Sequence, residues 1–175
     1  VMQLELSGAI DEIVIVTREE LIAPIGGLCR DYGFKKVREI VRGGATRAES
    51  VYRGLMHISR AAELAAIHDG ARPLVTEDII ARTVELAAKT GAAIPAVPVK
   101  DTLKRAQDGV ITETPPRGEL FAAQTPQVFS AELIKAALAK AIEDKAEITD
   151  DSSAVERLGM SVSLSDGSYE NIKIT

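Results

Sequence analysis

Short β-branched apolar runs alternate with longer amphipathic stretches from residue 12 to residue 98, and this alternation is the strongest constraint on the fold. Residues 12–17 (EIVIVT), 36–41 (KVREIV), 64–68 (LAAIH) and 92–98 (AAIPAVP) read as strands. Between them, residues 18–31 look helical, with Pro24 and Gly26-Gly27 expected to break or kink the helix. A second helix begins at Thr46, with Glu49 in capping-box position, and is expected to reach about Arg60. A third is capped by Thr76, carries Ile80, Val84 and Ala87 on one face and ends at Gly91. Strand and helix in strict succession predict an α/β domain with a largely parallel sheet. The two prolines of 92–98 predict a bend or a sheet edge there.

The rhythm then changes. Asp108-Gly109 between two β-leaning runs is the strongest short-range hairpin signal in the chain. The hairpin is too polar for core, so it reads as a projecting β-arm, with the excursion spanning about 99–127. A helix follows at 130–143, with Ile134, Leu138 and Ala141 on one face. A short helix is expected within 149–159, then short strands at 161–164 and 170–174. With 175 residues and no linker or repeat, one domain over 1–175 with an arm is the simplest organisation.

Composition excludes several classes. Net charge is −5 and aromatics are 3%, which argues against a nucleic-acid partner. No apolar run approaches the roughly 20 residues of a membrane helix. A lone cysteine, Cys29, fits a reducing compartment, hence a cytoplasmic location. No Ser-His-Asp arrangement, cysteine pair or Walker-type loop is present.

Four constellations could carry chemistry. Gly43-Gly44-Ala45-Thr46-Arg47-Ala48-Glu49-Ser50 joins a strand to a helix, where backbone amides suit an anion or a ring edge; a plain capped turn is the simpler alternative. His68-Asp69-Gly70-Ala71-Arg72-Pro73 follows a strand, at the carboxyl end where α/β sheets bind ligands. Its carboxylate could hold a hydroxyl or a metal, and Arg72 could meet a phosphate. A surface turn is the alternative, and His68 carries no assigned role. Lys100, Lys104, Arg105 and Arg117 concentrate basic charge on the arm, which suits an anionic ligand or a solvated face equally. Finally, Asp150-Asp151 reads as helix capping rather than metal binding, and Lys173, between two isoleucines, is either solvated or aimed at a ligand.

Six ordered segments resemble one family closely: GGATRAESVYRGL, IHDGARPLV, AIPAVPVKDTLKR, RGELFAAQTPQVF, ITDDSSAVERLG and NIKIT. They resemble the 2-C-methyl-D-erythritol 4-phosphate cytidylyltransferases, from about Asp11 to Thr175. The resemblance implies a three-layer, Rossmann-like nucleotidyltransferase fold, with a mostly parallel sheet, helices on both faces and a β-arm that embraces a second subunit. It implies CMP transfer from CTP to methylerythritol phosphate, with Mg2+ held mainly by the CTP phosphates and no dedicated protein metal site. Gly44, Ala45, Ser50, Asp69 and Gly70 would contact the nucleotide. Asp69, Arg72, Thr102, Arg117, Thr149 and Lys173 would hold the acceptor, with Asp69 and Lys173 catalytic, Arg117 reaching into the neighbouring subunit and Thr125 supporting the pocket.

The chain departs from the family pattern at Ala45, often Asp, and at Gly70, usually Ala. The family's N-terminal glycine-rich loop, with its charge-stabilising Arg and Lys, has no counterpart here, nor has the helical segment after NIKIT. Val1-Met2 in place of an initiator methionine matches the expectation of a longer protein. Two alternatives follow: a cytidylyltransferase for another alditol phosphate such as ribitol 5-phosphate, and a non-catalytic remnant.

Overall fold

The computed structural model describes residues 1–174; Thr175, the last residue of the NIKIT segment, lies outside them. The expected strands form at β1 (Ile13–Thr17), β2 (Val37–Arg42), β3 (Leu64–Ile67) and β4 (Ala92–Pro98). A short helix, α1 (Met2–Leu6), precedes them, and α2 (Glu19–Asp31), α3 (Arg47–Leu55) and α4 (Glu77–Thr90) lie between them. Helix α2 runs unbroken through Pro24 and the paired glycines. Pro24 stands in its second turn, so the missing N–H forgoes only the bond to the carbonyl of Glu20, an exposed residue. Helix α3 ends at Leu55, short of Arg60, and leaves His57 beyond it, paired to Glu39 at 2.6 Å.

The sheet is mixed. β1 and β2 pair in parallel as one ribbon. β4 is the spine of a second sheet, pairing in parallel with β9 (Ser163–Asp166) and antiparallel with β7 (Phe121–Ala123) and β8 (Gln127–Ser130); β8 also pairs antiparallel with β3. The antiparallel members are the chain returning from the arm. β4 is therefore interior, not an edge. Pro95 is tolerated because β8 covers Ala92 and Ala93 while β7 covers Ala96 to Pro98. Pro95 falls at the seam between them, where its carbonyl accepts from Gln124 N at 2.8 Å and no N–H is called for.

Helices cover both faces of this sheet, and strand alternation shows how. Ala92, Ile94 and Phe129 face α5 (Ala131–Glu143) and α6 (Asp151–Arg157), packing with Ile134, Leu138 and Val155. Ala93 and Val128 point the other way, against Ala87 of α4. Phe129, Ile134 and Leu138 are completely buried.

The arm is the exposed hairpin β5 (Arg105–Gln107) and β6 (Val110–Glu113). Asp108 and Gly109 both take positive φ, 49° and 80°, the twist that a two-residue hairpin turn requires. Its root is tied down: Val99 N donates to Leu120 O, Tyr169 Oη donates to Pro98 O at 2.6 Å, and Lys100 Nζ lies 3.6 Å from the Tyr169 ring centroid. Residues 170–174, expected as a strand, form an irregular strap held by side chains. Among the described residues, no helix is long and apolar enough to cross a membrane.

Candidate functional site

A cleft of about 1550 Å³ opens between β1 and β3, with the 43–47 loop and the 68–70 turn on its wall. The first of these is shaped by its glycines. A Cβ on Gly44 would stand 2.3 Å from Glu49 Cβ, so no side chain fits there. Thr46 caps α3 by accepting from Glu49 N at 3.1 Å, as expected. The Glu49 carboxylate, however, reaches past the cap residue to Ala45 N at 2.7 Å, and Ser50 Oγ accepts from Gly44 N at 3.0 Å. Both loop amides are thus satisfied internally.

The second wall is the turn after β3. Arg72 N donates to Asp69 O at 2.9 Å, closing it. Asp69 lies in a line of alternating charges. Lys173 Nζ is 2.8 Å from its Oδ2, and Arg47 Nη2 is 3.7 Å from its Oδ1. Arg47 in turn grips Asp151 with two bonds, of 2.9 and 2.6 Å. Half-burial pushes the Asp69 carboxyl up, but Lys173, Arg47 and Arg72 outweigh it and hold it below its ordinary value. Asp151 is fully buried, and that burial raises its carboxyl despite Arg47. Burial works against Arg47 too, yet Asp151 leaves its guanidinium above its ordinary value.

The acidic pair therefore divides its work. Asp150 caps α6 in a capping box with Ser153, and its bonds from Gln127, Ser152 and Ser153 keep it below its ordinary value against burial. Asp151, expected as a capping residue, is instead the buried anchor of Arg47.

Lys173 reaches Asp69 because the strap beneath it is clamped. Asn171, fully buried, donates from Nδ2 to Thr125 O at 3.1 Å and to Gln124 Oε1 at 3.3 Å. Arg72 Nη1 donates to Asn171 O at 2.7 Å, and Ile174 N donates to Ala71 O at 2.8 Å. Gln124 also holds Ser168 through both its amide atoms. The isoleucines flanking Lys173 are exposed, so the clamp, not strand alternation, aims the lysine.

The family model described as 2-C-methyl-D-erythritol 4-phosphate cytidylyltransferase matches residues 1–175. The chain belongs to this family. The enzyme of that name from Halalkalibacterium halodurans is 50% identical over 163 residues, covering 93% of this chain and 71% of the relative. The one from Alkaliphilus metalliredigens is 43% identical over 175 residues, covering 98% and 72%. The crystal structure of 4-diphosphocytidyl-2C-methyl-D-erythritol synthase from Anaerococcus prevotii superimposes with a TM-score of 0.92 at 33% identity, covering 99% of this chain and 77% of that one.

In this cytidylyltransferase family member, the residues expected from sequence fall into two groups. Asp69, Lys173, Arg72 and Thr125 come together, with Thr125 Oγ1 3.1 Å from Asp69 N. Gly44, Ala45, Ser50, Asp69 and Gly70 line the cleft, and Gly70 has open space on its Cβ side. Thr102 and Arg117 stand apart on the exposed arm, where Arg117 Nη1 donates to Lys100 O at 2.9 Å. Thr149 is exposed just before the Asp150 cap. Arg72 has two nitrogens committed to the carbonyls of Asn171 and Ala123, so it braces the strap as well as facing the site. Asp151, His68, Gln124 and Asn171 are the residues to which the sequence assigned no place in the site. Arg47, read from sequence only as part of the Gly43–Ser50 turn, pairs with the buried Asp151 instead.

Proposed function

We propose that this protein transfers CMP from CTP to 2-C-methyl-D-erythritol 4-phosphate, giving 4-diphosphocytidyl-2-C-methyl-D-erythritol and pyrophosphate in non-mevalonate isoprenoid biosynthesis. The observation that carries this is the Lys173–Asp69 pair at the cleft, flanked by Arg47, in a chain that belongs to the cytidylyltransferase family. An acceptor phosphate would draw Lys173 from Asp69, freeing the carboxylate for a hydroxyl. Gly44, Ala45, Ser50 and Gly70 would hold the nucleotide, and Arg72, Thr102, Arg117, Thr149 and Lys173 the acceptor. An acceptor phosphate oxygen then attacks the α-phosphorus in line as the bond to pyrophosphate breaks. Positioning and charge compensation supply the catalysis.

Among the described residues, no group of three His, Cys, Asp or Glu side chains could form a metal cage. Mg2+ would be carried mainly by the triphosphate oxygens of CTP. Bound there, Mg2+ would neutralise triphosphate charge. The exposed arm, with Val110 and Ile111 on its surface, suits a homodimer in which Arg117 serves the neighbouring site. A cytoplasmic location fits these nucleotide and sugar-phosphate substrates.

The test is pyrophosphate release from CTP. It is expected with methylerythritol phosphate and not with water alone; equal or better turnover with ribitol 5-phosphate would overturn the acceptor assignment.

A further inference from the structure

His68 directly follows β3 and immediately precedes Asp69, yet the activity proposed above gives it no part. Its hydrogen bonds define its state. Nε2 lies 3.0 Å from the Arg72 carbonyl, which can only accept, so Nε2 carries the proton. Nδ1 lies 3.0 Å from Thr125 Oγ1. That hydroxyl oxygen already accepts from Asp69 N at 3.1 Å, and its hydrogen is free to point at the ring. Nδ1 is therefore the acceptor. One chain of bonds runs from Asp69 N–H to the Thr125 hydroxyl, to Nδ1, and from Nε2–H to Arg72 O. Burial lowers the imidazole below its ordinary value, which agrees with a neutral ring.

The two ends of this chain are the two ends of the turn that carries Asp69 and Arg72. Thr125 is itself 5% exposed, and its carbonyl holds Asn171, so the same residue ties the turn to the strap bearing Lys173. Simple packing does not account for this arrangement. An apolar ring of the same size would fill the space but leave a buried hydroxyl hydrogen and the Arg72 carbonyl without their partners. A doubly protonated ring fails as well, because it would present N–H to Thr125 and strand that hydroxyl's hydrogen.

We propose that His68 is a positioning residue: as the neutral Nε2–H tautomer it fixes the Asp69–Arg72 turn at both ends, keeping Asp69 registered against Lys173. The kinetic consequence rests on the activity proposed above; the tautomer does not.

The test uses three variants and one spectrum. His68→Phe breaks both bonds and is expected to lower kcat/KM for CMP transfer to methylerythritol phosphate by about 30-fold, within the 10- to 100-fold range of second-layer polar partners. His68→Asn offers an amide oxygen to Thr125, and His68→Gln offers an amide N–H to the Arg72 carbonyl; each is expected to recover part of the loss. His68→Phe and Thr125→Val are expected to be non-additive, because they cut one chain of bonds. Independently of turnover, nitrogen-15 NMR of the wild-type ring is expected to show a pyridine-like Nδ1 and a protonated Nε2 at neutral pH. A protonated Nδ1 would overturn the proposal even if no variant folds. Wild-type kcat/KM in His68→Phe would overturn it too. Absence of CMP transfer by the wild-type protein would instead sink the assigned activity, and the spectrum would still decide the tautomer.

Discussion

Lys173 Nζ lies 2.8 Å from Asp69 Oδ2, although the two residues lie far apart in the sequence. Lys173→Met is expected to lower kcat/KM by roughly 10²- to 10³-fold, the scale of losing one preorganised donor at a developing charge. Steady-state pyrophosphate release, with circular dichroism to check the fold, measures this.

The same pair sets a pH dependence. Asp69 sits below its ordinary value in the folded state, so its contribution to stability is full above the unfolded carboxylate range. That contribution is lost as pH falls through the depressed native value. Asp69→Asn has no such proton to take up. Urea midpoints measured from neutral pH downward are expected to fall less steeply in acid for the variant than for the wild type. Parallel acid limbs would contradict the pairing.

Arg47 and Asp151 behave differently, because Asp151 is fully buried. Arg47→Met leaves that carboxylate unpaired and is expected to cost about 3 kcal/mol of folding stability, at the low end for a broken buried pair because Arg47 is partly exposed. The native Asp151 carboxyl is raised, so the penalty for its charge is relieved as pH falls through that raised value. Guanidinium unfolding should therefore show the variant's deficit shrinking toward mildly acidic pH.

Gly44→Ala would place a Cβ 2.3 Å from Glu49 Cβ and 3.1 Å from its backbone carbon. The loop must move, at about 1–3 kcal/mol. Initial-rate kinetics are expected to show KM for CTP rising while KM for methylerythritol phosphate changes little. The reverse pattern would place the nucleotide elsewhere.

Arg117 is exposed on the arm root, where its Nη1 donates to the Lys100 carbonyl, and in the proposed homodimer it serves a second subunit. In that proposed homodimer with shared sites, Arg117→Ala and Asp69→Ala are each expected to be nearly inactive. Co-refolding the two should restore a measurable fraction of activity, since a mixed dimer keeps one intact site. No recovery would argue against a shared site.

Much of this was legible because local chemistry agrees with the tertiary structure. Thr46 and Thr76 cap the helices they precede, and Asp108-Gly109 makes the turn it signals. Asp69 and Lys173 stood out as charges beside apolar runs. The misreadings arose where distant contacts override local pattern. Residues 170–174 alternate like a strand, but Arg72 and the Asn171 side chain hold them as a strap. Pro95 suggests an edge until β7 and β8 are seen to part around it. Asp151 looks like a cap because its partner, Arg47, is 104 residues away. His68 looks ordinary because its partners are a backbone carbonyl and a threonine.

Arg47 to Asp151 and Asp69 to Lys173 close loops of the same length, so the charged line across the cleft cannot exist in a partly made chain. On the ribosome, α4 and β4 can begin to order long before Lys173 emerges, but closing such loops comes late because its entropy cost precedes any reward. A nascent chain would thus carry much of the fold before the charge array, and the pair that holds Asp69 would be completed only once Lys173 is free of the ribosome.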